Sequence, residues 1–186
     1  MSTLSAGKIR RLQQLADGNG VFVICAMDHR GSLKKMLEEG GATNVGYRDM
    51  VDFKLDLCRA LAPHASAVLL DPIYGVAQAI AAGVLPGRTG CLVSMEESGY
   101  TGPSQARRSD LLAGWNVDKL KRLGGQAAKL LLYYRPDLKE LAQRQLELVN
   151  KLSQDCAQAE VPLLVEAVAY QINDKEKDPQ YFAKLR

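Results

Sequence analysis

Long apolar runs, paired cysteines and histidine clusters are what this 186-residue sequence lacks, and each absence closes a class of function. No apolar stretch approaches the roughly 20 residues that a membrane-spanning helix needs. The N-terminus, MSTLSAGKIRRLQQLADGNG, is an amphipathic polar stretch without the apolar centre of a signal peptide. Four cysteines stand alone at positions 25, 58, 91 and 156, with no CxxC pair, and His29 and His64 are the only histidines. Neither a structural zinc site nor a disulfide framework is expected, and the cysteines read as small buried hydrophobes of a reducing compartment. The formal net charge of +3 is slight and no aromatic-basic array occurs, so neither nucleic acid nor an anionic membrane is expected as a partner. The fingerprints GxGxxG and GxxxxGK followed by Ser or Thr are also missing. The expectation is a cytoplasmic protein without a metal or other cofactor.

What is present is a rhythm. With 47% hydrophobic residues the chain can bury a substantial core. Residues 5–16 carry Ile9, Leu12 and Leu15 at helical spacing, and Asp17-Gly18-Asn19-Gly20 ends the pattern. Apolar runs at 21–27, 67–70, 90–95, 127–135 and 162–169 have the length and punctuation of strands. Between them lie helical stretches: a short one before Gly40-Gly41, residues 47–61 with Met50, Phe53, Leu57 and Leu61, a piece ending at Ala82, residues 115–123 capped by Asn116, and residues 137–159. Residues 178–186 begin another. A polar loop at 98–114, with Arg107 and Arg108 adjacent, is long enough to be functional.

This βαβα alternation predicts an α/β fold with a parallel sheet. Two closures fit, an open doubly wound sheet or a (β/α)8 TIM barrel of which only about the first five β/α units are present. The charges favour the barrel. Asp28, Asp71, Glu96-Glu97, Lys129 and Glu166 lie within or just after strands, and convergence from several strand ends is how a barrel builds its site. Residues 1–186 are therefore read as one domain, an incomplete barrel.

AAKLLLYYR, residues 127–135, holds the most demanding residue. Period two puts Lys129, Leu131 and Tyr133 on one face of the strand and Ala128, Leu130, Leu132 and Tyr134 on the other. Lysine is rarely buried unless it is paired or has lost its proton. Deprotonated, Lys129 is the simplest nucleophile for a carbonyl, and Glu166 on the next strand is a proton carrier beside it. A structural ion pair is the alternative. Asp28 orients a substrate hydroxyl and Arg30 binds a phosphate, or else Asp28 merely caps the following helix. His29 sits at the same strand end without a metal-spaced partner. Asp71 and Glu96 are further substrate-binding candidates, against ordinary Asp-Pro turn chemistry for the first and an unassignable choice between Glu96 and Glu97 for the second. Arg107 and Arg108 either grip an anion or are solvated, and His64 reads as a helix-end cap.

Taken in order, MDHRGSLKKM (27–36), LLDPIYG (69–75), ESGY (97–100), AAKLLLYY (127–134) and VPLLVEAVAY (161–170) resemble the class I tagatose 1,6-bisphosphate aldolase family. Sulfofructose-phosphate aldolases share the DxR and KLL motifs, but Gly31 and the DPxYG turn are closer to the tagatose type. The resemblance implies a metal-independent (β/α)8 barrel that splits a ketohexose bisphosphate into dihydroxyacetone phosphate and glyceraldehyde 3-phosphate, and the expected partners are this phosphorylated sugar and further copies of the chain in a homo-oligomer. It places Asp28 on substrate hydroxyls, Lys129 as a charge that tunes the pocket, and Glu166 as the proton shuttle. His29 stands where relatives carry glutamine. The family's Schiff-base lysine lies on a sixth strand, past residue 186, so the chain alone is expected to be inactive. Rival expectations are a phosphosugar isomerase or epimerase on the same barrel and a catalytically dead truncated barrel serving as an assembly or regulatory subunit.

Overall fold

The computed structural model describes residues 4–173 together with Glu176 and Gln180. Its strands are β1 (Ile24–Met27), β2 (Ala67–Leu70), β3 (Gly90–Ser94), β4 (Ala127–Tyr133) and β5 (Leu163–Val168). Its α-helices are α1 (Ala6–Leu15), α2 (Gly31–Glu39), α3 (Tyr47–Leu61), α4 (Val76–Ala81), α5 (Val117–Leu123) and α6 (Lys139–Gln158), with a 3-10 turn at Ala62–His64 closing α3. Each expected strand is present, β2 with its expected bounds and the others shortened. Apart from Gln180, the helix expected at 178–186 lies outside the described residues.

All strands run parallel in the order β1-β2-β3-β4-β5. A doubly wound sheet must reverse its strand order to place helices on both faces. Here the order never reverses, so that closure is excluded and the sheet is a curled half-barrel. The faces follow from period two. Val68, Leu70, Cys91, Val93, Ala128, Leu130 and Leu132 point outward and pack against Cys58, Val76, Ala79, Leu120, Leu152 and Cys156 of the helices. On the concave side Ala67, Leu69, Leu92 and Ala127 form a smaller apolar layer, with Ile24 against it.

Helix α1 closes the N-terminal end of this layer by burying Leu15. Ser66 Oγ donates to the Leu15 carbonyl at 2.7 Å, and Arg11 Nη1 donates to the Gly125 carbonyl at 2.8 Å. The approach of α1 demands a glycine at position 90, where a Cβ would stand 2.5 Å from the Gln14 carbonyl oxygen. At the same end of the barrel segment, Gly124 takes the left-handed conformation (φ 92°) that terminates α5 and turns the chain into β4. Asn116 caps α5, its side chain accepting the Lys119 N–H at 2.9 Å.

The stripe of α3 is rotated from the expected one. Met50, Val51, Lys54 and Cys58 are buried, whereas Phe53 and Leu61 are exposed. Apolar side chains are also uncovered along both outer strands: Val21, Phe22 and Val23 lead into β1, and Leu164 and Val165 lie in β5. Among the described residues no helix is long and apolar enough to cross a membrane.

Candidate active site

The residues after β1, the loop after β3 and the concave faces of β4 and β5 enclose a cavity of about 440 Å³ at the C-terminal end of the sheet. Parallel strands bring their carboxyl ends to one rim, so residues far apart in sequence meet there. Lys129, Leu131 and Tyr133 all line it, as the period-two reading of β4 requires.

Lys129 is the centre of charge. Its Nζ donates to Asp28 Oδ2 at 2.8 Å and lies 3.0 Å from Glu166 Oε2 and 3.7 Å from Glu96 Oε1. Only 2% of the lysine is exposed. Burial opposes its charge, but Glu96, Asp28 and Glu166 together outweigh that effect and hold its pKa above the ordinary lysine value. That direction runs against a deprotonated Lys129 and toward an ammonium set among three carboxylates.

The carboxylates differ in exposure. Glu166 is half in solvent, Asp28 is mostly covered, and Glu96 is buried. Burial pushes the Glu96 carboxyl above its usual range, against the pull of Lys129, the Leu131 N–H and Arg30. Glu96 Oε2 accepts the Leu131 N–H at 3.1 Å, which fixes Glu96 as the inward member of the Glu96-Glu97 pair. Glu97 Oε1 instead accepts the Ala113 N–H at 3.2 Å and fastens the loop.

Arg30 and His29 also line the cavity. Arg30 is 6% exposed; its Nη2 donates to the Glu96 carbonyl at 2.6 Å, while Nη1 has no hydrogen-bond partner among the described residues. A buried guanidinium nitrogen without an acceptor is costly unless a ligand supplies one. Ser98 Oγ accepts the Gly31 N–H at 3.1 Å, at the start of α2, so hydroxyl and helix N-terminus share the same wall.

Asp71 is not brought to the cavity. It is fully buried, with Oδ2 2.5 Å from Lys54 Nζ and Oδ1 accepting the N–H groups of Ile73 and Tyr74 at 2.9 and 2.7 Å. Both oxygens are spoken for, so its substrate-binding reading gives way to turn chemistry plus a core ion pair. Lys54 also donates to the Met27 carbonyl at 2.7 Å, immediately before Asp28. Desolvation lowers the Lys54 pKa in spite of Asp71. Sequence reasoning passed over Lys54; the available signal was a lysine midway between Met50 and Cys58, four residues from each. Passed over too were Tyr100 and Tyr170, which pack edge-on against Tyr133 at 5.5 and 6.0 Å between ring centres. His64 lies in the 3-10 turn, away from the cavity lining. No group of three or more metal-ligating side chains occurs among the described residues.

Comparison with known proteins places this arrangement. Residues 22–185 match the sequence profile of the DeoC/LacD family aldolases. The chain is 34% identical to tagatose 1,6-diphosphate aldolase 1 of Enterococcus faecalis, over all of this chain and 56% of that protein. It is 33% identical to tagatose 1,6-diphosphate aldolase of Listeria monocytogenes, over all of this chain and 54% of the relative. The chain thus spans about half the length of the curated relatives it matches. Among solved structures it resembles a Schiff-base-forming fructose-1,6-bisphosphate aldolase, with a TM-score of 0.57 at 17% identity, covering 96% of this chain and 64% of that one. An archaeal fructose 1,6-bisphosphate aldolase superposes with a TM-score of 0.56 at 15% identity over the same shares.

Proposed function

The chain belongs to the DeoC/LacD family of aldolases, and from that premise we propose that it is the N-terminal part of a class I, metal-independent aldolase that cleaves a ketohexose bisphosphate such as tagatose 1,6-bisphosphate. The observation that carries the reading is one buried ammonium, Lys129, held by Asp28 and Glu166 at the mouth of the cavity. In a Schiff-base mechanism a lysine condenses with the C2 carbonyl, and the iminium becomes an electron sink. Removal of the C4 hydroxyl proton then breaks the C3–C4 bond, releasing glyceraldehyde 3-phosphate and leaving the enamine of dihydroxyacetone phosphate. Protonation at C3 and hydrolysis complete the turnover.

Glu166 suits the proton transfers because half of its side chain reaches solvent while Lys129 fixes its position. Asp28 holds substrate hydroxyls, and the unpartnered Nη1 of Arg30 meets an anionic group of the substrate. Lys129 itself remains charged and favours the neutral form of a neighbouring amine. That amine belongs to a lysine on a sixth strand, beyond the five strands of the described residues. The uncovered Val21–Val23 and Leu164–Val165 edges, together with the unreversed strand order, support continuation of the sheet into a single-domain (β/α)8 barrel. The chain alone is inactive on this reading, and its apolar edges favour self-association.

Borohydride reduction in the presence of dihydroxyacetone phosphate tests the proposal. In a protein of the relatives' length, mass spectrometry is expected to find the adduct on a lysine outside residues 1–186. Turnover without any trapped lysine sinks the Schiff-base reading and favours an isomerase or epimerase. An adduct on Lys129 restores that residue as nucleophile. Glu166→Gln in the same protein is expected to lower turnover about 10²–10⁴-fold, the usual contribution of a positioned acid-base group.

A further inference from the structure

Two guanidinium groups share one aromatic ring at the rim of the cavity, and only one of them is neutralised. Arg135, just past the end of β4, lies 5.8 Å from the centre of the Tyr170 ring and is bonded to Asp137 at 2.8 and 2.7 Å and to Glu176 at 2.6 and 3.2 Å. Arg107, in the loop after β3, lies 5.1 Å from the centre of the same ring. Its Cζ is also 4.6 Å from the centre of Tyr100 and 5.9 Å from that of Tyr133. Among the described residues no carboxylate pairs with Arg107, and its one side-chain bond runs from Nε to the Ser104 carbonyl at 3.1 Å.

Ring faces attract a guanidinium through its charge but leave the N–H groups in its plane unused. The tyrosines come from the loop after β3, the end of β4 and the segment after β5, so the cage positions the cation from three sides. Tyr170 OH also donates to the Arg107 carbonyl at 3.4 Å, which ties down the backbone of the same residue. Tyr133 is at once a wall of this cage and a wall of the cavity.

We propose that Arg107 forms an anion subsite at the cavity rim, where its caged guanidinium presents both Nη groups to the phosphoryl oxygens of a sugar phosphate whose carbon chain runs inward past Tyr133 toward Lys129. The assignment of a sugar phosphate rests on the aldolase reading; the anion subsite itself does not. A planar fork matches two phosphoryl oxygens at once, which a lysine at the same place cannot do. The cage restricts the guanidinium beforehand, so less side-chain entropy is lost when the anion arrives.

Titration of the 186-residue chain with inorganic phosphate, followed by the NMR signal of the Arg107 side-chain Nε–H, tests the subsite without any sugar chemistry. The expected result is a saturable shift of that signal, retained in Arg30→Met, where the other orphaned guanidinium is gone. Arg107→Met and Arg107→Lys are each expected to weaken phosphate binding at least about tenfold by calorimetry in the Arg30→Met background, with thermal unfolding followed alongside. An unmoved Nε–H signal in the unsubstituted protein overturns the subsite, whatever the variants do. Binding by folded Arg107→Lys equal to that of the parent overturns the bidentate contact. Phosphate binding at Arg107 together with failed borohydride trapping would leave the subsite standing and remove only the aldolase reading.

Discussion

Lys54 and Lys129 are both lysines with almost no exposed surface, and their pKa values are shifted in opposite directions. Lys54 is ion-paired with one carboxylate, Asp71; neither of the two lines the cavity, and desolvation lowers its pKa against Asp71 and the more weakly acting Asp28. Lys129 suffers the same desolvation but meets Asp28, Glu96 and Glu166, and its pKa is raised. The first arrangement stitches α3 to the ends of β1 and β2. The second sets three carboxylates around one ammonium and faces a cavity. Burial of an ammonium is therefore no mark of function by itself; surplus carboxylate and access to a ligand separate the two.

The sharpest way to break this comparison is to remove one partner of the closed pair. Lys54→Met leaves Asp71 buried without its cation, and a loss of about 3–5 kcal/mol is expected in urea unfolding. That is a large share of a stability of roughly 5–15 kcal/mol. Lys54→Met combined with Asp71→Leu should recover much of the loss, because an apolar pair of similar size leaves no stranded charge. No recovery would place the lost stability in the turn at Ile73 and Tyr74, whose N–H groups Asp71 also accepts.

Lys129→Met is expected to cost less, about 1–3 kcal/mol in the same measurement. Glu166 and Asp28 can turn to solvent, and Glu96, already pushed toward its neutral form by burial, takes up a proton. A loss equal to that of Lys54→Met would mean that the open cluster is as much a structural pair as the closed one.

Opposite pKa directions predict opposite pH slopes. The native state holds the Lys129 proton beyond the ordinary lysine value of about 10.4, so stability falls as pH rises through that region. Lys54 is the reverse: its native pKa lies below that of the unfolded chain, and the stability linked to it is lost as pH falls through the lowered value. Lys129→Met should flatten the alkaline fall, and Lys54→Met should remove the rise on its acid side. Urea midpoints across about pH 8 to 11 check both signs. The smallest effect belongs to Glu166→Gln, below about 1 kcal/mol in stability because half of the side chain is solvated. A larger loss would show that Glu166 belongs to the scaffold.

Much of the fold could be read without coordinates. Five apolar runs between helical stretches correspond to five parallel strands, and the alternation within residues 127–134 sorts Lys129 to the cavity and Leu130 to the helix side. Asp28, His29, Arg30, Glu96 and Glu166 were legible as candidates because charges at strand ends converge in any parallel sheet of this kind. Asp71 fits the same rule and still lies elsewhere, since nothing local reveals that a lysine of α3 waits for it. The α3 stripe misled for the same reason. Phe53 and Leu61 are the more apolar residues, but the pairing of Lys54 with Asp71 rotates the helix to bury Met50, Lys54 and Cys58.

Sequence alone determined the elements, their order and the face on which each β4 side chain emerges, because period and punctuation are local properties of the chain. Tertiary structure decided the partners. Lys129 meets Asp28 across 101 positions, Arg30 reaches the Glu96 carbonyl across 66, and Arg107 receives Tyr170 across 63. Such meetings depend on strand register and sheet curvature, to which every strand contributes. The direction of each buried lysine's pKa shift follows from the balance between its desolvation and the carboxylates that this geometry delivers to it.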